Sequence, residues 1–104
     1  MPILQHWDAL TEQSKTPDVR KTAIHGSGAS LVRVSIARGT SAERHSHEFE
    51  QFVQVISGSG TLETEEGVER FGPGSIFHFL PNTWHAAIFD EDTVLVETNL
   101  TKTD

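Results

Sequence analysis

The sequence predicts an all-β sandwich or barrel. Two observations predict it. From about residue 30 onward, short runs of β-branched and aromatic residues alternate with turn signals at close spacing. No stretch after residue 20 sustains helical periodicity over three turns.

Residues 1–20 mix Trp7 and Leu10 with polar side chains. A short helical turn over residues 8–13, with Asp8 as its N-cap, is expected there. Residues 15–18 then read as a turn around Pro17. Residues 31–37 alternate at period two and stop at Gly39, and residues 52–56 stop at the Ser57-Gly58-Ser59-Gly60 turn. Residues 61–64 and 68–71 flank Glu65-Glu66-Gly67 as a hairpin whose tip carries charge into water. Residues 76–80 end at Pro81-Asn82, and residues 86–89 end at Asp90-Glu91-Asp92. The last run covers residues 93–97.

A chain of 104 residues is expected to form one domain over 1–104, with residues 1–20 packing on the barrel or on a dimer partner. Eight Lys+Arg against fifteen Asp+Glu give a formal charge of −7, which argues against a nucleic-acid module. The absence of cysteine excludes disulfides, thiolate metal sites and a cysteine nucleophile. Apolar runs are far shorter than the roughly 20 residues that cross a bilayer, so no membrane partner is expected. No basic and then apolar leader is visible at Met1, and a cytoplasmic address is the expectation.

Six histidines in so short a chain are the compositional oddity. His45 and His47 form a His-x-His pair, and in a strand residues i and i+2 share a face. The same parity continues through Gln51, Val53 and Val55. A strand pairing that brings His85 opposite this pair would gather three imidazoles and one amide oxygen around a point. Glu48 and Glu50 are alternative oxygen donors; a regular strand turns them away, and a bulge at Phe49 would reverse that.

The wider spacing carries a resemblance. Gly39 is followed after five residues by His45-x-His47, after three more by Gln51, and after six more by Gly58. Gly74 leads to Leu80-Pro81 and then His85. Together these resemble the two motifs of the cupin superfamily, over about residues 33–89. The stretch His45-Ser46-His47-Glu48-Phe49-Glu50-Gln51 is also similar to that of the short, RmlC-like single-domain cupins that act on unsaturated uronates. The chain departs from the family pattern in three places: Gln51 replaces the Glu ligand, Asn82 replaces a Gly, and Phe89 replaces an Asn. The C-terminal segment also lacks the Pro/Arg-containing tail of the uronate cupins, so the resemblance carries over the metal site and not the substrate.

The resemblance implies a jelly-roll barrel, or double-stranded β-helix, that holds one divalent transition metal (Fe, Mn, Ni, Zn or Cu) on His45, His47, His85 and Gln51. A homodimer is implied as well, burying Trp7, Ile24, Phe52 and Ile56. With a neutral amide in place of a carboxylate, the site favours an anionic small-molecule ligand. His78 is a candidate for proton transfer, and Arg33 and Trp84 are candidates for substrate binding; each has an ordinary alternative as a core, solvated or wall residue. His25 and His6 carry no role. Three functions remain open: a metal-dependent isomerase, lyase or dioxygenase on a small oxygen-rich organic or sugar acid; a non-catalytic ligand-binding module; or a structural barrel with an empty site.

Overall fold

The computed structural model describes residues 3–101. In chain order these contain a 3-10 turn, Trp7–Ala9, followed by β1 Gln13–Thr16, β2 Val19–His25, β3 Ala29–Ile36, β4 Ser41–His45 and β5 Gln51–Ser57. Then come β6 Gly60–Thr64, β7 Gly67–Phe71, β8 Ile76–Phe79, β9 His85–Phe89 and β10 Thr93–Leu100. One antiparallel sheet has the order β1-β2-β3-β10-β5-β8, and a second has the order β4-β9-β6-β7. The two sheets form a jelly-roll β-barrel.

Alternation in β3 explains how the larger sheet acquires an inside. Val32, Val34 and Ile36 are buried, while Arg33 and Ser35 between them turn outward. Strand β10 lies at the centre of this sheet and pairs with both β3 and β5, setting Leu95 beside Val34 and Val55. The smaller sheet contributes Phe71 and Phe89, whose rings meet edge to face at 5.7 Å. Each fully buried side chain of this kind contributes about 1.5–3 kcal/mol, and the nine-residue core draws on both sheets.

The N-terminal segment differs from expectation. Its turn begins one step earlier, capped by His6, whose Nδ1 accepts from the Asp8 backbone N–H at 3.1 Å. Gln13 belongs instead to β1, because pairing with Lys21 across the Pro17-Asp18 turn overrides a weak helical preference. Asp8 then approaches Arg33 at 3.8 Å and Glu12 approaches Arg20 at 3.8 Å, so the segment lies over the outer face of the larger sheet. Besides β1, strands β2 and β4 are the elements that apolar patterning does not single out. Their inward positions include Lys21, Ala23 and Ala42 rather than large hydrophobes. Among the described residues no helix is long and apolar enough to cross a membrane.

Candidate metal centre

His45 closes β4 and His85 opens β9, and the two are direct cross-strand partners. The pairing goes from Ala42↔Ala87 to His45↔His85, so β4 advances three residues while β9 advances two. This irregularity brings both Ala42 and His45 to the inside although they are an odd number of residues apart. Strand β4 ends there, so His47 does not reach the site by strand parity, contrary to expectation. The loop before β9 holds it instead: the Asn82 backbone N–H donates to the His47 carbonyl at 2.7 Å. Phe49 stacks on the far side of the His47 ring at 4.8 Å.

Asn82 has φ 65°, and Thr83 N–H closes the turn onto the Leu80 carbonyl. A positive φ at the third position after Leu80-Pro81 defines a turn that Asn tolerates almost as well as Gly. Asn82 therefore supplies the left-handed residue that the turn ahead of His85 requires.

The three imidazoles converge. Their ligating nitrogens lie within 4.8 Å of one another, and ring centroids are 4.2 Å apart for His45–His85 and 5.0 Å for His45–His47. His45 donates from Nδ1 to the Glu43 carbonyl at 2.7 Å, which leaves its Nε2 lone pair free. His85 is 6% exposed and stacks on Phe79 at 3.8 Å. Its Nδ1 is buried with no hydrogen-bond partner among the described residues. An unsatisfied buried atom of this kind costs about 1–3 kcal/mol, and the nearby Thr83 backbone offsets it only weakly.

Burial, then the neighbouring His45 and His47, push the His85 pKa down to about 4. Burial, then His45 and Lys21, lower that of His47 as well. Both rings are therefore neutral at pH 7, the form that coordinates metal. The same shifts make a prediction for the metal-free protein. The unfolded chain protonates these histidines near the ordinary value of 6.5, whereas the folded chain resists until lower pH. The unfolded state thus binds more protons through this window, and stability falls as pH drops from 6.5 toward 4. Melting temperatures of chelator-treated protein should decline between pH 7 and pH 5; a flat profile would contradict these shifts.

Gln51 opens β5, is 3% exposed and faces inward with Val53 and Val55. Its Nε2 donates to Asn99 Oδ1 at 2.8 Å, which sets the amide orientation and leaves the carbonyl oxygen as its available donor atom. The two alternative carboxylates do not join the cluster. Glu50 accepts from His78 on the outer face, and Glu48 is exposed over a separate cavity beside Phe49. Among the described residues, no carboxylate belongs to the triad.

The other candidates are placed as follows. His78 pairs across the sheet with Phe52, and its neighbours Phe77 and Phe79 take the opposite face, so His78 points outward, stacked on Phe52 at 4.3 Å. This orientation separates it from the imidazoles. Arg33 also points outward, under Asp8. Trp84 lies beneath the Arg44 guanidinium at 3.9 Å and lines a cavity of about 630 Å³ between β7 and β8, with Thr64 and Phe79.

One inward carboxylate escapes the sequence reading. Glu97 is opposite buried Val32 on one side and buried Val53 on the other, so it shares the inside face. Burial raises its pKa, while the charges of Lys21 and His45 pull it back. In the sequence it ends an apolar run and looks like a solvated strand terminus; its parity with Leu95 is the signal that could have found it.

Comparison with known proteins agrees with this fold. No curated protein sequence matches the chain significantly. KdgF from Halomonas sp. superposes with a TM-score of 0.88 at 23% identity, over 100% of this chain and 97% of that one. An RmlC-like cupin from Shewanella frigidimarina superposes with a TM-score of 0.88 at 13% identity, over 100% and 95%. Oxalate decarboxylase from Bacillus subtilis, which has Mn(II) centres, is similar over 94% of this chain and 29% of its own, with a TM-score of 0.79 and 14% identity. These likenesses establish the shared barrel. The cupin domain model matches residues 32–98, which hold both histidine motifs, and the chain belongs to the cupin family.

Proposed function

We propose that this chain is a single-domain, metal-dependent cupin enzyme that acts on a small oxygen-rich organic or sugar acid. The observation that carries the proposal is the convergence of three imidazole donors at the inner face, two of them kept neutral by burial and by one another. His45, His47 and His85 would hold one divalent transition ion, with the Gln51 carbonyl as the oxygen donor. Mn(II) in the oxalate decarboxylase is a precedent for a metal in this barrel. Bound there, the ion supplies Lewis acidity toward a carbonyl or carboxylate oxygen.

The residues of this chain set the rest of the chemistry. Gln51 keeps the donor set neutral. At ~4 Å and an effective dielectric of ~20, one unit of charge is worth about 4 kcal/mol before relaxation, so the site favours an anionic oxygen ligand. Asn99 holds the Gln51 amide in register. Glu97 is the inward carboxylate, and its raised pKa suits it to accept and return a proton at its carboxylate oxygen. This role moves from His78, which faces outward. The proposal also pairs two chains through the outer apolar surface near Phe52 and Ile56, a state that light scattering reads directly.

The test is Glu97→Gln. The variant should keep its metal content and lose turnover of a responsive sugar or 2-hydroxy acid by about 10²- to 10⁴-fold. Unchanged turnover would remove Glu97 from the mechanism. Tight ligand binding without turnover in the parent protein would favour the non-catalytic module.

A further inference from the structure

Lys21 is on the inside of the barrel wall. It pairs with Val34, which is 1% exposed, and its strand neighbour Ala23 pairs with Val32. Val32 in turn pairs with Glu97. Residues directly opposite one another across a sheet share a face, so Lys21 and Glu97 look into the same space from strands β2 and β10. Four outward cations are engaged: Arg20 with Glu12, Arg33 with Asp8, Arg44 with Glu63 and Arg70 with Asp90. Lys21 makes no ion pair among the described residues, and its side chain is exposed. Val34 pairs with Leu95 as Val32 pairs with Glu97, so the Lys21 stem leaves the same inward face as Glu97 two strands away.

We propose that Lys21 is an anion anchor that takes a second carboxylate of a ligand whose first carboxylate and adjacent oxygen engage the ion held by the triad. This rests on the metal reading given above and narrows its substrate class to dicarboxylic 2-hydroxy or 2-keto acids. A lysine suits the task because its compact charge sits on a long flexible stem and can follow the far end of a ligand. Discrimination then comes from a difference between two acids with the same metal-binding end.

Malate and lactate are such a pair: both are 2-hydroxy acids, and malate carries the additional carboxylate. Each is titrated into the Co(II)-loaded protein, following the cobalt d–d absorption band. The parent protein should bind malate roughly tenfold more tightly than lactate. Lys21→Met should abolish that preference while leaving cobalt content and lactate affinity unchanged, and Lys21→Arg should retain most of it. Equal binding of the two acids by the parent protein would overturn the anchor, as would a Lys21→Met variant that weakens both acids alike. Cobalt bound with no response to either acid would overturn the anchor together with the anionic-ligand reading. Failure of the parent protein to bind cobalt would sink the metal reading itself, and Lys21 with it.

Discussion

His85→Ala is expected to reduce bound divalent metal from roughly one ion per chain to roughly a tenth of that or less after dialysis. Three imidazoles converge within 4.8 Å, and His85 is the one placed deepest, stacked on Phe79 and paired across the sheet with His45. Its removal leaves His45 and His47 at the more exposed side with only the neutral Gln51 amide oxygen beside them, a much weaker donor set than three imidazoles. The substitution also opens space beside Phe79, so some loss of stability accompanies it. His78→Ala separates the two effects. That ring lies on the outer face against Phe52 and Glu50, and its loss should leave metal content unchanged. Elemental analysis of the two variants beside the parent protein checks the contrast. Equal metal in all three would show that the triad is not the binding site.

Gly60→Ala should destabilise the fold by about 3 kcal/mol, lowering the melting temperature by roughly 12–20 °C. A Cβ at this position would lie 2.1 Å from the Ile88 carbonyl oxygen and 2.6 Å from Phe71 Cζ. The first of these is backbone of the adjacent strand β9, which cannot swing aside as a side-chain end can. Strand β6 must therefore move off β9, and β9 begins with His85. Loss of metal affinity should accompany the loss of stability, because the same pairing sets the position of that imidazole. Gly58 is constrained in a second way. It combines φ 94° with a would-be Cβ 2.2 Å from Thr93 Oγ1, so alanine there meets strain as well as contact. Thermal denaturation of Gly60→Ala, followed by circular dichroism, gives the answer; a shift under a few degrees would mean that the sheet yields more easily than its packing indicates.

Much of the barrel was legible because its inward faces are apolar and alternate. Val32, Val34 and Ile36 announce β3, and Gln51, Val53 and Val55 announce the inward side of β5. The same alternation, read strictly, places Arg33 and His78 outside, since each sits between two residues of the inward set. Strand β2 was hidden because Lys21 and Ala23 occupy its inward positions, where a large apolar residue would have marked the strand. The histidine spacing pointed to three rings that the fold brings together, yet the means by which His47 joins them is long-range. It depends on a hydrogen bond from Asn82, a contact no local pattern encodes. Likewise, the register of β4 against β9 is set by an irregularity that brings His45 inward, and such a bulge has no sequence signature here.

An anomalous difference map from crystals of the protein equilibrated with Mn(II), Ni(II) or Zn(II) tests the metal assignment most directly. The expected result is one peak per chain, within about 2.0–2.3 Å of a nitrogen from each of His45, His47 and His85. Density for the metal at any other position, or none between these three rings with every one of the ions, would contradict it.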